Sequence, residues 1–211
     1  GFVVDFDTNV LDPLNPRSVP LTMRLYDDRG GESSWFAMPA WRPADHLAED
    51  ARGPHGRVET MEIPTSDGGV RTVDVYVPPG HDDSTENYPV AYVHWGDPTR
   101  RLGQMTASLD NLTGDTVRPV IVVYVHRKGG GFNELVWGGR PGYIRSVAEE
   151  VAPAIEARYR TAAGRDARAS IGYGFGGLAA LDLAFSYPEL FAKGAAQSPM
   201  RETVHENDVL S

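Results

Sequence analysis

A run of closely spaced glycines between two apolar segments constrains the fold of this chain more than any other feature. Four of the six residues from 172 to 177 are glycine, and Gly174 is one of them. A strand pattern ends at Gly172, and a helix pattern runs from Phe175 to Tyr187, where Pro188 follows. Glycine suits positions where a chain turns with positive φ or where two backbones approach closely. The segment therefore predicts a sharp strand-to-helix turn with Gly174 at φ > 0.

Strand and helix patterns alternate along the second half of the chain. Strand patterns occupy residues 88–95, 117–125, 167–172 and 193–197. Helix patterns lie near residues 101–112, 143–159 and 175–187. This alternation predicts parallel β-α-β units in a doubly wound sheet. Upstream, residues 57–63 and 70–77 alternate apolar and polar side chains on either side of Gly68 and Gly69, which predicts an antiparallel hairpin.

Composition excludes several classes of function. The 211 residues carry a net charge of −9, so the average field of the protein repels nucleic acid and anionic membranes. No apolar run approaches the roughly 20 residues of a membrane-spanning helix. Because the chain has no cysteine, it has neither a thiolate nucleophile nor a Cys-ligated zinc site. We expect no nucleic-acid partner, no membrane insertion, no metal and no cofactor.

The glycine-rich turn has the pattern that carries the catalytic serine in α/β-hydrolases. Their nucleophile elbow reads G-x-S-x-G between a strand and a helix, with the serine at the strained central position. Gly172 and Gly176 match the outer glycines, but Gly174 stands at the centre, and glycine has no oxygen that could attack a carbonyl. Ser170 lies inside the strand pattern and Ser198 at the end of the next one. The sequence therefore predicts a degenerate elbow and no catalytic residue.

The segments around this turn resemble the putative esterase family of α/β-hydrolases, which includes enterobactin esterase and the esterase-D type hydrolases. The resemblance rests on residues 149–159 before the elbow strand, on residues 187–191 after the elbow helix, and on Gln197-Ser198-Pro199, which is similar to the family's Q-S-G. It implies an α/β-hydrolase-like fold with a doubly wound, mostly parallel sheet. The family's catalytic Asp and His follow the strand that ends near Ser198, so we expect a fold that is incomplete at the C-terminal side.

The resemblance also implies a division of the chain into three parts. Residues 1–16 resemble the last strand and exit of an immunoglobulin-like domain, and we expect residues 2–6 to be a strand without a sheet of its own. Residues 17–55 are expected to be a linker packed on the hydrolase body. Residues 56–211 are then a truncated esterase-like domain. The linker's aromatic residues are expected to dock it on that body: Trp35, Phe36 and Trp41.

Residues at the carboxyl ends of the predicted parallel strands are the candidates for a pocket, because open α/β sheets bind ligands at that edge. His94 and His126 end two such strands, although ordinary loop histidines would fit the same positions. Trp95 stands where the family usually has the Asp of an Asp-Gly pair, and Glu134 lies in the loop after the next strand. We expect these four residues to line the pocket.

Two backbone amides are candidates for an oxyanion hole. In hydrolases of this type one donor is the N–H of the residue after the nucleophile, and the other comes from an earlier loop. By position these are Phe175, which follows Gly174, and Gly96, which follows Trp95.

The sequence leaves more than one function open. The first is a non-catalytic esterase homologue that acts in binding or as a subunit of an assembly. The second is a serine carboxylic-ester hydrolase of siderophore-esterase type, seen as an inactivated or incomplete chain. A third is a carbohydrate-associated module, and its only support is the immunoglobulin-like strand predicted at residues 2–6.

Because the strand at 193–197 would be an exposed sheet edge, further polypeptide or another subunit is the expected partner. We expect a soluble protein, in either the cytoplasm or the periplasm of a bacterium.

Overall fold

The computed structural model describes residues 2–4, 8–15, 17–21, 31–47, 53–128, 134–135 and 140–199. Two small hairpins come first in the chain. Strand β1 (Phe2–Val4) pairs antiparallel with β2 (Thr8–Val10), and β3 (Ser18–Leu21) pairs antiparallel with β4 (Gly31–Ser34). The expectation that the first strand has no sheet of its own is therefore wrong. Residues 5 and 6 of that predicted strand lie outside the described residues, and the immunoglobulin-like interpretation stays a prediction.

The predicted linker contains regular structure of its own. Besides β3 and β4 it forms a 3-10 helix, Asp45–Leu47, and the side-chain amide of Asn111 donates a hydrogen bond to the carbonyl of His46 at 2.9 Å. Trp35 and Trp41 pack edge to face against each other, with ring centroids 5.8 Å apart. Phe36 is 77% exposed, so the prediction that it docks the linker is wrong.

A six-stranded mixed sheet forms the centre of the fold. Its strands in chain order are β5 (Arg57–Pro64), β6 (Val70–Val77), β7 (Val90–His94), β8 (Ile121–Val125), β9 (Arg168–Tyr173) and β10 (Lys193–Gln197). Their spatial order is β10-β9-β7-β8-β6-β5. The first four are parallel neighbours, as the alternation predicts. The predicted hairpin is also confirmed, because β5 pairs antiparallel with β6, which in turn pairs antiparallel with β8.

Helices pack on both faces of this sheet. They are α1 (Gly96–Arg101), α2 (Met105–Leu112), α3 (Arg140–Ser146), α4 (Ala152–Arg158) and α5 (Gly174–Ser186), with a π-helical turn (Val147–Val151) joining α3 to α4. One core cluster contains side chains of α3, the π turn, α4 and α5, and the other contains Leu109 of α2. All residues of β7 and β8 are buried, as expected for strands covered on both faces. The predicted helix near 101–112 is two helices, because Gln104 between them has φ +48°.

The carboxyl ends of the four parallel strands meet at one edge of the sheet. His94 ends β7, Val125 ends β8 and Tyr173 ends β9. Because β6 is antiparallel to β8, the first residues of β6, including Arg71, lie at the same edge. In the described part of the chain, no helix has the length and apolarity needed to cross a lipid bilayer.

Candidate functional site at the carboxyl edge of the sheet

The glycine-rich turn has the backbone geometry of a nucleophile elbow. Tyr173 ends β9 in an extended conformation, Gly174 follows with φ +54°, and α5 begins there. The prediction of positive φ at Gly174 is confirmed. The neighbouring glycines are required by close contacts: a Cβ on Gly172 would overlap the backbone oxygen of Gly176, and a Cβ on Gly176 would lie 2.7 Å from the backbone oxygen of His94. The sequence therefore folds into the elbow without supplying its nucleophile.

Neither of the two serines near the elbow occupies the nucleophile position. Ser170 is fully buried in β9, three residues before Tyr173. Ser198 follows β10, is exposed and has φ +45°. Ser170 Oγ lies 2.8 Å from His94 Nε2, which is a distance suited to proton transfer between a nucleophile and a base. Because both residues are completely enclosed, no substrate can reach this pair in the present structure.

His94 belongs to the polar interior of the fold. Its Nδ1 lies 2.9 Å from the Tyr143 hydroxyl oxygen, so the ring joins β7 to β9 through Ser170 and to α3 through Tyr143. Burial, together with the charge of Arg71, lowers the pKa of His94 to about 3. The imidazole is therefore neutral at pH 7. The side chain of this predicted pocket residue is thus enclosed in the core, with both ring nitrogens hydrogen bonded.

Trp95 packs on both residues that flank Gly174. Its ring is stacked on Tyr173, with centroids 5.3 Å apart and an interplanar angle of 4°, and its centroid lies 6.1 Å from that of Phe175. The residue is 5% exposed and has φ +61°, which is uncommon for a bulky side chain. The guanidinium carbon of Arg127 lies 5.9 Å from the ring centroid. An indole therefore lies beside the elbow turn, at the position where the sequence departs from the family's Asp-Gly.

The two candidate oxyanion donors lie at the starts of two helices, and these helices follow two neighbouring strands of the sheet. Phe175 is in the first turn of α5, after β9, and Gly96 is the first residue of α1, after β7. Backbone N–H groups in a first helical turn have no partner within the helix. A Cβ on Gly96 would lie 2.6 Å from the backbone of Tyr124, so this position requires glycine. The role of these amides stays a prediction.

Glu134 is partly buried and forms an ion pair with the buried Arg71, which was not among the site residues predicted from the sequence. Arg71 is 1% exposed, and its NH1 donates to Glu134 Oε2 at 3.2 Å and to the carbonyl of His126 at 3.0 Å. Its Nε donates to Ser146 Oγ at 3.0 Å, and its guanidinium carbon lies 4.8 Å from the centroid of the Tyr143 ring. A signal was available, because Arg71 shares strand register with the buried Val73, Val75 and Val77.

His126 pairs with Asp74. The Nε2 of His126 lies 3.1 Å from Asp74 Oδ2, and Arg100 and Thr60 also bind this carboxylate, at 3.0 and 2.7 Å. Burial raises the pKa of Asp74, but these hydrogen bonds and charges more than offset it, so the net shift is downward. Asp74 and Arg71 point to opposite faces of the sheet, since side chains alternate along a strand. The side chains of His126 and Glu134 therefore bind partners on opposite faces of the sheet. The other two predicted pocket residues differ again, because His94 is enclosed in the core and Trp95 packs beside the elbow.

The fold is similar to that of solved esterases. The enterobactin esterase of Shigella flexneri is 21% identical, with a TM-score of 0.72 over 93% of this chain and 49% of that chain. A ferulic acid esterase of the anaerobic fungus Anaeromyces mucronatus is 19% identical, with a TM-score of 0.64 over 75% of this chain and 64% of that chain. The chain thus spans about half to two thirds of the length of these structures. At such identities the likeness shows the fold, which is that of an α/β-hydrolase.

A comparison with curated proteins finds no match to this sequence. The family described as "Putative esterase" matches residues 65–206, which is more than half of the chain and includes the elbow, Trp95 and the Arg71–Glu134 pair. The resemblance inferred from the sequence is confirmed: the chain belongs to the putative esterase family of α/β-hydrolases.

Proposed function

We propose that this protein is a non-catalytic member of its esterase family, which uses the α/β-hydrolase scaffold for binding or assembly. One observation carries the proposal: Gly174, with φ +54°, stands where the family's nucleophile would be. A serine held at positive φ costs of order 1–3 kcal/mol, whereas glycine adopts this conformation with little strain. The substitution therefore relaxes the turn and removes the attacking oxygen in one step.

The surroundings of the turn support this proposal. The Ser170–His94 pair is closed off inside the core, so it offers no replacement nucleophile. Trp95 packs against Tyr173 and Phe175, on both sides of Gly174. Backbone donors alone leave a small part of the rate enhancement of a serine hydrolase.

Hydrolysis of p-nitrophenyl acetate by the purified chain tests the proposal. We expect no turnover above that of the heat-denatured protein, and no covalent labelling by a fluorophosphonate. An active serine esterase treated in parallel controls for both reagents. Turnover that the fluorophosphonate abolishes, together with a labelled peptide from this chain, would overturn the proposal.

A serine carboxylic-ester hydrolase is the alternative, and the retained elbow geometry favours it. The φ of +54° at Gly174 is one that a serine can occupy at a cost, and the similar structures are named as enterobactin and ferulic acid esterases. Reading the encoding gene distinguishes the two functions. A serine codon at position 174 would support the alternative, and a glycine codon would support the non-catalytic homologue.

We further propose that another polypeptide segment or subunit pairs with β10. This strand is at the edge of the sheet, and four of its five residues are exposed. Helix α5 packs against β10, and Phe185 of this helix is 80% exposed. Exposed edges and apolar side chains favour association. Sedimentation of the isolated chain is expected to show self-association, whereas a 23.0 kDa monomer that unfolds cooperatively would contradict the proposal.

A further inference from the structure

A polar cavity of about 240 Å³ lies at the carboxyl edge of the sheet, apart from the elbow. It is bordered by the turn between β5 and β6, by the start of β6, by Glu134, and by α3 with the π turn. Its lining residues are Thr65, Ser66, Asp67, Arg71, Glu134, Gly142, Tyr143, Arg145, Ser146 and Glu150. Open α/β sheets bind ligands at this edge. The volume is below the roughly 300 Å³ at which pockets for drug-sized ligands begin, so it suits a small molecule.

Most of the charges in the cavity wall are neutralised within the protein. Arg71 forms its ion pair with Glu134. Asp67 accepts hydrogen bonds from the ammonium group of Lys128, with both carboxylate oxygens 2.7 Å from Nζ. The wall also contains Arg145 and Glu150, which form no ion pair with a described residue, although the charge of Lys128 contributes to the lowered pKa of Glu150.

Arg145 and Glu150 both have unused hydrogen-bonding capacity. Arg145 is exposed at the mouth of the cavity and makes no hydrogen bond or ion pair with any other described residue. Glu150 Oε1 accepts the backbone N–H of Ser66 at 2.7 Å, but its Oε2 is buried and has no partner within the described part of the chain. A buried polar atom without a partner is costly in a native protein and often marks the place of a water, an ion or a ligand.

The π-helical turn places these two residues on the same cavity. In a regular α-helix, residues five apart point about 140° away from each other. The i→i+5 turn at Val147–Val151 changes this phase, and both Arg145 and Glu150 line the cavity. Single π turns inside helices frequently occur at functional sites. Burial raises the pKa of Glu150, but hydrogen bonds from Ser66 and Ser146 and the charge of Lys128 more than offset it, so the pKa is lowered and the carboxylate is charged at neutral pH.

We propose that this cavity binds a small zwitterion of the α-amino acid type, with its carboxylate on Arg145 and its ammonium group on Glu150 Oε2. A guanidinium and a carboxylate form strong, charge-assisted hydrogen bonds, and the ammonium supplies the donor that Oε2 lacks. The inference goes beyond the proposed function, because it names a ligand class and holds whether or not the elbow is catalytic.

Calorimetric titration of the full chain with glycine, L-alanine and L-serine tests this inference. We expect saturable 1:1 binding of at least one of them, weakened about tenfold or more by Arg145→Gln and by Glu150→Gln. Arg118→Gln, at an exposed arginine away from the cavity, and Glu149→Gln, on the same helical segment but not in its wall, are matched controls and should bind like the wild type.

Two partial ligands separate a zwitterion site from a simple ion site. L-lactate keeps the carboxylate but lacks the ammonium, and ethanolamine keeps the ammonium but lacks the carboxylate. Each is expected to bind at least about tenfold more weakly than the best amino acid. This comparison uses the wild-type chain, so it remains decisive if Glu150→Gln does not fold. Lack of binding by all three amino acids, equal binding of lactate or ethanolamine, or unchanged binding by Arg145→Gln would overturn the proposal.

Discussion

Trp95 and Tyr173 stack face to face across two neighbouring parallel strands, with ring planes 4° apart and centroids separated by 5.3 Å. Each residue follows or ends a strand at the carboxyl edge, one at the turn before α1 and the other directly before Gly174. The stack therefore links the turn that holds a predicted oxyanion donor to the degenerate elbow.

Replacing Trp95 by alanine is expected to destabilise the fold strongly. Removal of a buried tryptophan leaves a cavity, and such substitutions cost about 3–5 kcal/mol of unfolding free energy. Trp41→Ala is the matched control, because Trp41 is 50% exposed and should cost much less. Urea denaturation followed by far-ultraviolet circular dichroism measures both variants. Equal losses would show that the Trp95 stack contributes no more than a surface ring.

Serine is expected to be tolerated at Gly174 but not at Gly176. Gly174→Ser should lose about 1–3 kcal/mol through strain at positive φ. Gly176→Ser should lose more, because its Cβ would lie 2.7 Å from the backbone oxygen of His94, which cannot move aside. Gly53→Ser serves as the control, since no atom lies within 4 Å of an added Cβ there. Thermal unfolding gives the ranking, and a Gly174→Ser variant less stable than Gly176→Ser would contradict the elbow geometry.

Arg71→Met is expected to cost about 3–5 kcal/mol, because it leaves Glu134 and Ser146 without their buried partner. The double variant Arg71→Met/Glu134→Gln should recover part of this loss. Arg57→Met provides an exposed comparison: its pair with Glu59 should be worth at most about 1 kcal/mol. A double-mutant cycle measured by chemical denaturation yields the coupling energy. Coupling no larger than that of the exposed pair would contradict a structural role for Arg71.

The depressed pKa of His94 is expected to make the fold less stable at acidic pH. The pKa is about 3 in the folded protein and 6.5 in the unfolded chain, so the unfolded state binds the additional proton between these values. The contribution of neutral His94 to the free energy of unfolding is therefore fully present above pH 6.5. It is lost as the pH falls, by at most about 1.4 kcal/mol per pH unit. Glu59, with its pKa lowered to about 2, acts in the same direction only below about pH 4.5.

Measurements between pH 4.5 and 6.5 isolate the effect of His94. The slope of unfolding free energy against pH should be smaller in His94→Gln than in the wild type. Imidazole resonances in the wild type provide a second measurement that needs no variant. Protonation of His94 above pH 4.5 in the folded protein would contradict its enclosure in the core.

Local pattern was sufficient for much of the fold and for the elbow. The glycines at 172, 174 and 176, together with strand and helix periodicity, predict the turn, the positive φ at Gly174, the parallel neighbours and the hairpin, because each depends on backbone sterics or on side-chain period. The pairing of β1 with β2 and the break at Gln104 were missed, because a three-residue strand and a single residue with positive φ leave no periodic pattern in the sequence.

The lack of a serine at the elbow follows from the amino-acid sequence alone, because the absence of an oxygen at Gly174 does not depend on folding. Three sets of contacts become visible only in the folded chain: His94 is enclosed with Ser170 and Tyr143, Arg71 pairs with Glu134, and Trp95 stacks on Tyr173. These contacts join residues 49 to 78 positions apart, and their existence depends on strand order, register and the side chain's direction from the sheet. Local propensity carries no information about those three quantities, and so the environment of each polar group is settled by packing.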